Sequence, residues 1–345
     1  MTLGHCGHTD RKCRPMSPGR LLRQGTRASR EETDLHYRHS ALLGAIALAG
    51  FATAQVAMPA TAATAPLSNA REVAHFDVTL LQQPENITLE PDGAAVVTFN
   101  RARQVARVGR DGSVSMLATL PAPATGTAGV SGIVRGRDGS LLVNYNAGSQ
   151  SAIYRIAPRG GTATPIVALP NVKVINGLAL DEESDTLYAT DSTVGTVWKV
   201  SLRTRTASLW AQDPALVPPA GSGFGANGIK VHDGAVWVSN TGNGTLMRIP
   251  IGRHGAAGAV TTVAQGLTSI DDFTFVGNSD TVLAALNGVN EVAIVHPDGT
   301  HQIVLTSTDG LTSPTSIAVR GSTVYVASAA YANRIDPNLL LARLG

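Results

Sequence analysis

Cysteine is almost missing from this chain: Cys6 and Cys13 are the two in 345 residues, and none follows residue 13. That excludes disulfides, thiolate metal sites and a cysteine nucleophile from the rest of the chain. Charged residues (15%) and aromatics (4%) are both low, and the net charge is only +2. Neither a nucleic-acid-binding field nor an acidic tail is implied. Lys173, Lys199 and Lys230 are scattered, which gives no basic stripe. No Gly-x-Ser-x-Gly elbow, phosphate loop or Cys/His metal motif occurs.

What is present is turn-forming residue and repetition. The 36 glycines and 43% hydrophobic content suit a turn-rich all-β chain with a sizeable core. Six times a short polar group opens an alternating apolar strand: Glu85-Asn86-Ile87, Ser131-Gly132-Ile133, Asn176-Gly177-Leu178, Asn227-Gly228-Ile229, Asp271-Asp272-Phe273 and Thr315-Ser316-Ile317. The opening residues lie 46, 45, 51, 44 and 44 positions apart, a period typical of propeller blades or solenoid units. Each opening strand is followed by a turn containing Gly, Asp or Ser. A second strand ends in a polar residue (Asn100, Asn144, Asp191, Asn240, Asn287, Ser328), and a third alternates apolar and polar residues. With a fourth strand, about 45 residues make one four-stranded antiparallel blade. A six-bladed β-propeller is therefore expected over residues 66–345. His75–Leu81 is expected to be a strand that joins the last blade and closes the ring, hiding its edges.

Residues 1–65 read differently. They are crowded with Arg, and Arg38-His39 precede the apolar run Ala41–Ala54, followed by Ala60-Thr61-Ala62 and Ala63-Thr64-Ala65. This is the layout of a secretory signal with small-x-small cleavage sites, and its start would lie at Met16 or later. About 14 apolar residues are too few for a stable membrane span, so a secreted or extracytoplasmic protein is expected.

The first strand of each propeller blade lines the central tunnel, so the six opening residues converge at one end of it. Glu85, Asn176, Asn227 and Asp271 offer carboxylate or amide oxygens, while Ser131 and Thr315 do not. Hard oxygen donors without His or Cys suit Ca²⁺ first, with Mg²⁺ or Mn²⁺ (and Zn²⁺ less naturally) as alternatives. Asn-Gly alone would ordinarily mark a hairpin turn, but here it precedes the strand rather than ending it. Asp191, Asn240 and Asn287 are candidates to support the site, with a strand-end structural role as the simpler reading. His232 and His296 read as surface residues, and Trp198 and Trp237 as packing between blades. Phe224, after the insertion Pro218-Pro219-Ala220-Gly221-Ser222-Gly223, is placed to cover the funnel.

The run Pro84-Glu85-Asn86-Ile87, then Asn-Gly-Leu-Ala-Leu with Thr-Leu-Tyr-Ala-Thr-Asp-Ser, then Asn227-Gly228-Ile229 and Asp271, resembles the regucalcin/gluconolactonase (senescence marker protein) family of six-bladed propellers. The resemblance spans about residues 80–330. It implies one divalent cation held by Glu85, Asn227 and Asp271, with Asn176 nearby as ligand or substrate-orienting group. It also implies a metal-dependent hydrolase of a lactone or related ester with Asp271 as base or nucleophile. The chain departs from the family at Asn86-Ile87, where Gly-Pro is usual, and at Asp272, where Gly is common. Other stretches, such as Gly225-Ala-Asn-Gly-Ile-Lys-Val, are similar to a secreted fungal branch that includes enzymes templating cycloadditions. A non-hydrolytic binding or cyclising propeller and an interaction scaffold therefore stand as alternatives. A monomer acting on a small molecule, with no nucleic-acid partner, is expected.

Overall fold

The computed structural model describes residues 66–345; the leader and its signal-like run lie outside the described residues. Six antiparallel sheets of four strands each form the blades of a propeller. The innermost strands are Pro84–Leu89, Gly129–Arg135, Ile175–Asp181, Ala226–His232, Ile270–Phe275 and Pro314–Arg320, so each contains one opening residue. They pack against one another in ring order, with the sixth against the first. Helical structure among the described residues is confined to three-residue 3-10 turns.

The ring closes as the alternation implied, but with a different segment. The outermost strand of blade six is Leu67–His75, paired with Asn338–Leu344. The expected His75–Leu81 strand is instead a turn, with a 3-10 segment at Val78–Leu80 and Leu81 in a left-handed conformation. The Asp77 carboxylate accepts from the Thr79 backbone N–H at 2.7 Å, and a side chain that caps a turn competes with a strand ladder. Leu67–His75 pairs the N-terminal segment with blade six and covers its otherwise unpaired edge.

The apolar cores lie between blades. Val96, Val105 and Leu120 of blade one pack with Val130, Ile133, Leu141 and Val143 of blade two. Each such side chain contributes about 1.5–3 kcal/mol when fully buried. The alternation that marks each strand is thus what staples neighbouring sheets together. Trp237 sits in one of these cores, edge-on to Phe275 at 5.2 Å.

Every innermost strand breaks its register at the opening residue, between Pro84 and Asn86, Val130 and Ile133, Ile175 and Leu178, Ala226 and Ile229, Ile270 and Phe273, and Pro314 and Ser316. A bulge cancels the two-residue alternation locally, so two consecutive side chains reach across the channel. The bulges also carry hydrogen bonds from blade to blade. Thr190 Oγ1 accepts from the Gly177 N–H (2.8 Å) and donates to the Asn227 carbonyl (2.5 Å). Ser239 repeats this between Gly228 and the Asp271 carbonyl, and Thr98 between Asn86 and the Ser131 carbonyl. Asn144 donates to the Asn176 and Gly177 carbonyls. Blades five and six have Ala285 and Ala327 at this position. There Thr315 donates to the Pro84 carbonyl, joining blade six to blade one.

Candidate functional site

The Asn-Gly pairs are explained by this close packing rather than by turns. A Cβ on Gly228 would lie 2.5 Å from an Asp272 carboxylate oxygen and 2.7 Å from the Asp271 carbonyl, and one on Gly132 would lie 2.5 Å from the Asn176 carbonyl. Only glycine lets neighbouring bulges approach this closely. The preceding residue is then held at the lip of the channel.

Glu85, Ser131, Asn176, Asn227 and Asp271 all line a cavity of about 1170 Å³ at that end of the channel. Thr315 does not; it is fully buried in its hydrogen bond to blade one. Ser131 also has a structural bond, donating to the Ile175 carbonyl at 2.9 Å. The four residues with amide or carboxylate oxygens are thus gathered on one floor. Asn227 Nδ2 donates to Asp271 Oδ1 (2.8 Å) and to Thr241 Oγ1 (2.8 Å). Asn287 Nδ2 donates to Asp271 Oδ2 at 3.2 Å. Asn176 lines the cavity, and its side chain makes no hydrogen bond to another described residue.

Burial pushes Glu85 above the ordinary carboxylate range, and Asp272 adds to the shift, against a hydrogen bond from Tyr331. Burial raises Asp271 further, with the charges of Glu85 and Asp272 contributing and Asn227 and Asn287 opposing. Two like charges share this floor without a cationic side chain bonded to either. Lys230 is turned to Asp272 instead, at 2.5 Å. Excess buried negative charge with spare amide oxygens is the environment a hard divalent cation relieves.

Sequence reasoning missed Tyr331, whose hydroxyl donates to Glu85 Oε2. It lies in the irregular loop of blade six, where no repeat position could flag it. Burial raises the Tyr331 phenol well above its usual value, with the Glu85 charge adding, while the Arg101 charge opposes the rise. Asp272 and its partners were also missed. It is 2% exposed, accepts from Asn86 Nδ2 (3.1 Å) and Ser316 Oγ (2.7 Å), and pairs with Lys230, whose ammonium lies 5.5 Å from the Phe273 ring centre. These residues form a second layer beneath the first.

Of the strand-end polar residues, Asn287 supports Asp271, whereas Asp191 caps the backbone at Lys173 and Val174, and Asn240 binds the Ala215 and Val217 carbonyls. The equivalent blade-to-blade positions are Thr98, Asn144, Thr190 and Ser239, so that Asp191 and Asn240 lie one residue beyond the position that bridges the blades. His232 is not a simple surface residue: it stacks on Phe275 at 3.9 Å and meets Asp280 at 3.0 Å. Phe224 lines the cavity and is 46% exposed. Of the three scattered lysines only Lys173 lines the cavity, where it joins Arg101, Arg103 and Arg334; Lys199 donates to the Gly255 carbonyl and Lys230 pairs with Asp272.

Residues 94–273, just over half of the chain, match the family described as a repeat of unknown function, DUF6923. No protein of curated function matches the chain in sequence. Solved structures with the same fold include a gluconolactonase from Xanthomonas campestris, at 16% identity and a TM-score of 0.61, covering 81% of this chain and 91% of that one. A catalytically inactive virginiamycin B lyase from Staphylococcus aureus, solved with quinupristin, aligns at 16% identity and a TM-score of 0.55 over 80% and 99%. A PQQ-bound aldose sugar dehydrogenase from Streptomyces coelicolor aligns at 15% and 0.57 over 81% and 99%. Such likeness establishes the propeller; three chemistries on one fold leave the reaction to the site.

Proposed function

The chain belongs to the DUF6923 repeat family, and we propose that this member is a secreted, divalent-metal-dependent hydrolase of a lactone or related ester. The observation that carries the reading is the convergence of Glu85, Asn176, Asn227 and Asp271, from four different blades, on the floor of one cavity. Glu85, Asn227 and Asp271 would hold the ion, with Asn176 as a further oxygen donor or as the group that orients substrate. The donor set fits calcium, and Mg²⁺, Mn²⁺ or Zn²⁺ are the alternatives to be separated by assay. When bound, the ion would polarise an ester carbonyl and acidify a water.

Asp271 is the proposed base. Its carboxylate takes the proton of the attacking water as the oxygen adds to the carbonyl carbon, and returns it to the leaving alkoxide as the acyl C–O bond breaks. Burial supports this role by raising its proton affinity. The amides of Asn227 and Asn287 fix the two Asp271 oxygens, so the base is oriented before substrate arrives. Tyr331 holds Glu85 in the same manner from the cavity wall.

Elemental analysis of purified protein together with a lactone and ester panel tests the reading. Bound metal and turnover that disappears in Glu85→Gln and Asp271→Asn is the expected result; full activity in both variants overturns it. Leu81, Pro123, Val174 and Phe224 give the cavity wall apolar patches, which favour a non-hydrolytic binding or cyclising propeller as the second reading. Tight ligand binding without turnover would select it. The secreted address rests on Ala41–Ala54 and the Ala-Thr-Ala sites; N-terminal sequencing of protein recovered from medium or periplasm should begin near residue 65.

A further inference from the structure

The walls of the cavity divide its charges by depth. Glu85 and Asp271 are its two lining carboxylates, and both belong to the floor. Arg101, Arg103, Lys173 and Arg334 supply the cations. They come from separate parts of the ring: Arg101 and Arg103 from the turn between the second and third strands of blade one, Lys173 from the approach to the innermost strand of blade three, and Arg334 from the blade-six loop. Among the described residues none of the four forms an ion pair. Arg103 in addition keeps its Nε buried without a hydrogen-bond partner. What sets the four apart is their convergence on one cavity in a domain that is mildly acidic after residue 65. Three arginines towards the far end of the blades are paired: Arg107 with Glu90 and Asp92, Arg135 with Glu90, and Arg155 with Asp138.

We infer that the ligand of this cavity is an organic anion, a substrate with a carboxylate set away from its reactive carbonyl, the carboxylate held by the Arg101, Arg103, Lys173 and Arg334 cluster. The inference deepens the hydrolase reading and rests on it for the position of the ester. The anion preference itself depends only on the cations. Guanidinium groups suit a carboxylate because their paired N–H donors match its two oxygens. Convergent positive charge with no protein carboxylate paired to it raises the local concentration of such a ligand and selects against its neutral analogue. A divalent ion on the floor would add to this field.

The test uses a pair of probes that cannot be hydrolysed as esters and differ in charge alone: 4-acetamidobenzoate and 4-acetamidobenzamide, titrated calorimetrically into the full protein at low salt. The benzoate should bind about tenfold more tightly, an effect of the size several partly exposed ion pairs supply together. The preference should shrink towards one at about 0.5 M salt and in the R101Q/K173Q/R334Q triple variant, whose three positions are exposed. It should persist in Arg155→Gln at the far end. Equal binding of the two probes, or a preference unchanged in the triple variant, overturns the inference. The esters 4-acetoxybenzoate and 4-acetoxybenzamide separate the two readings. If neither ester is turned over while the calorimetric preference holds, the hydrolase reading fails and the anion site stands. If both esters are turned over with equal kcat/KM and the calorimetric preference is absent, the anion site fails and the hydrolase stands.

Discussion

The two ends of the channel are built from the same six strands, yet they treat charge in opposite ways. At the far end, carboxylates sit in turns with close donors. The Ser140 hydroxyl and N–H, followed by Arg155, hold Asp138 down to about 2. Asp92 and Asp298 are likewise lowered, first by the N–H of Ala94 and the hydroxyl of Thr300 respectively. At the cavity end Glu85 and Asp271 are raised by burial, and the nearby arginines have no carboxylate partner. A satisfied charge stabilises or decorates a turn. Charge left uncompensated at a concave site is a demand for a ligand, and the cavity end makes it.

The largest break in that contrast is removal of the floor carboxylates. Asp271→Asn should lower kcat about 10²–10⁴-fold, the usual range for a general base, in a steady-state assay of whichever ester is turned over. Substituting Lys230 probes the layer beneath. Lys230→Met strands the Asp272 carboxylate in the channel and should destabilise the fold by about 3 kcal/mol in urea denaturation. Adding Asp272→Asn should recover most of the loss, because the uncompensated charge goes with it. Thr190→Val, which leaves the Gly177 N–H and the Asn227 carbonyl without their shared partner, should follow at about 1–3 kcal/mol.

The pH dependence sharpens the comparison. The raised carboxyls Glu85 and Asp271 bind more protons in the folded state than in the unfolded one. Their contribution to stability is therefore fully present below about pH 4, where unfolded carboxyls titrate, and is lost as pH rises through their elevated folded values. Metal-free protein should lose stability from this pair towards neutral pH, and calcium should raise Tm more at pH 8 than at pH 5, measured by calorimetry. An equal calcium effect at both values would argue against these two ligands. Asp138 runs the other way: its lowered value gives a contribution lost only in strong acid. The smallest effect belongs to the far end, where Arg155→Gln should change stability by less than about 1 kcal/mol, since the pair is exposed.

Some of the site was legible in the residues themselves. The opening triplets marked the innermost strands in all six blades because a buried strand shows its period in every repeat. Glu85, Asn176, Asn227 and Asp271 stood out because they put carboxylate or amide oxygens at one phase of that repetition, and the structure places all four in one cavity. Tyr331 was not found, since its loop between the second and third strands of blade six is longer than in the other blades and its bond to Glu85 spans 246 positions. Asp272 was read merely as a departure from a common glycine; its role required the bulge that turns two consecutive residues into the channel. The closing strand was displaced from His75–Leu81 to Leu67–His75 because a capped turn and an edge strand look alike where one face is exposed.

The sequence by itself determined the six-fold repeat, the strand faces and the four oxygen donors at matching positions, because alternation and turn chemistry act over a few residues. The tertiary structure decided which of those residues meet: Asn86 with Asp272 across 186 positions, four basic side chains around one cavity mouth, and Thr315 in a seam rather than in the cavity. Such contacts depend on closing the ring and on bulges that reset side-chain direction, and both arise only when blades pack against one another.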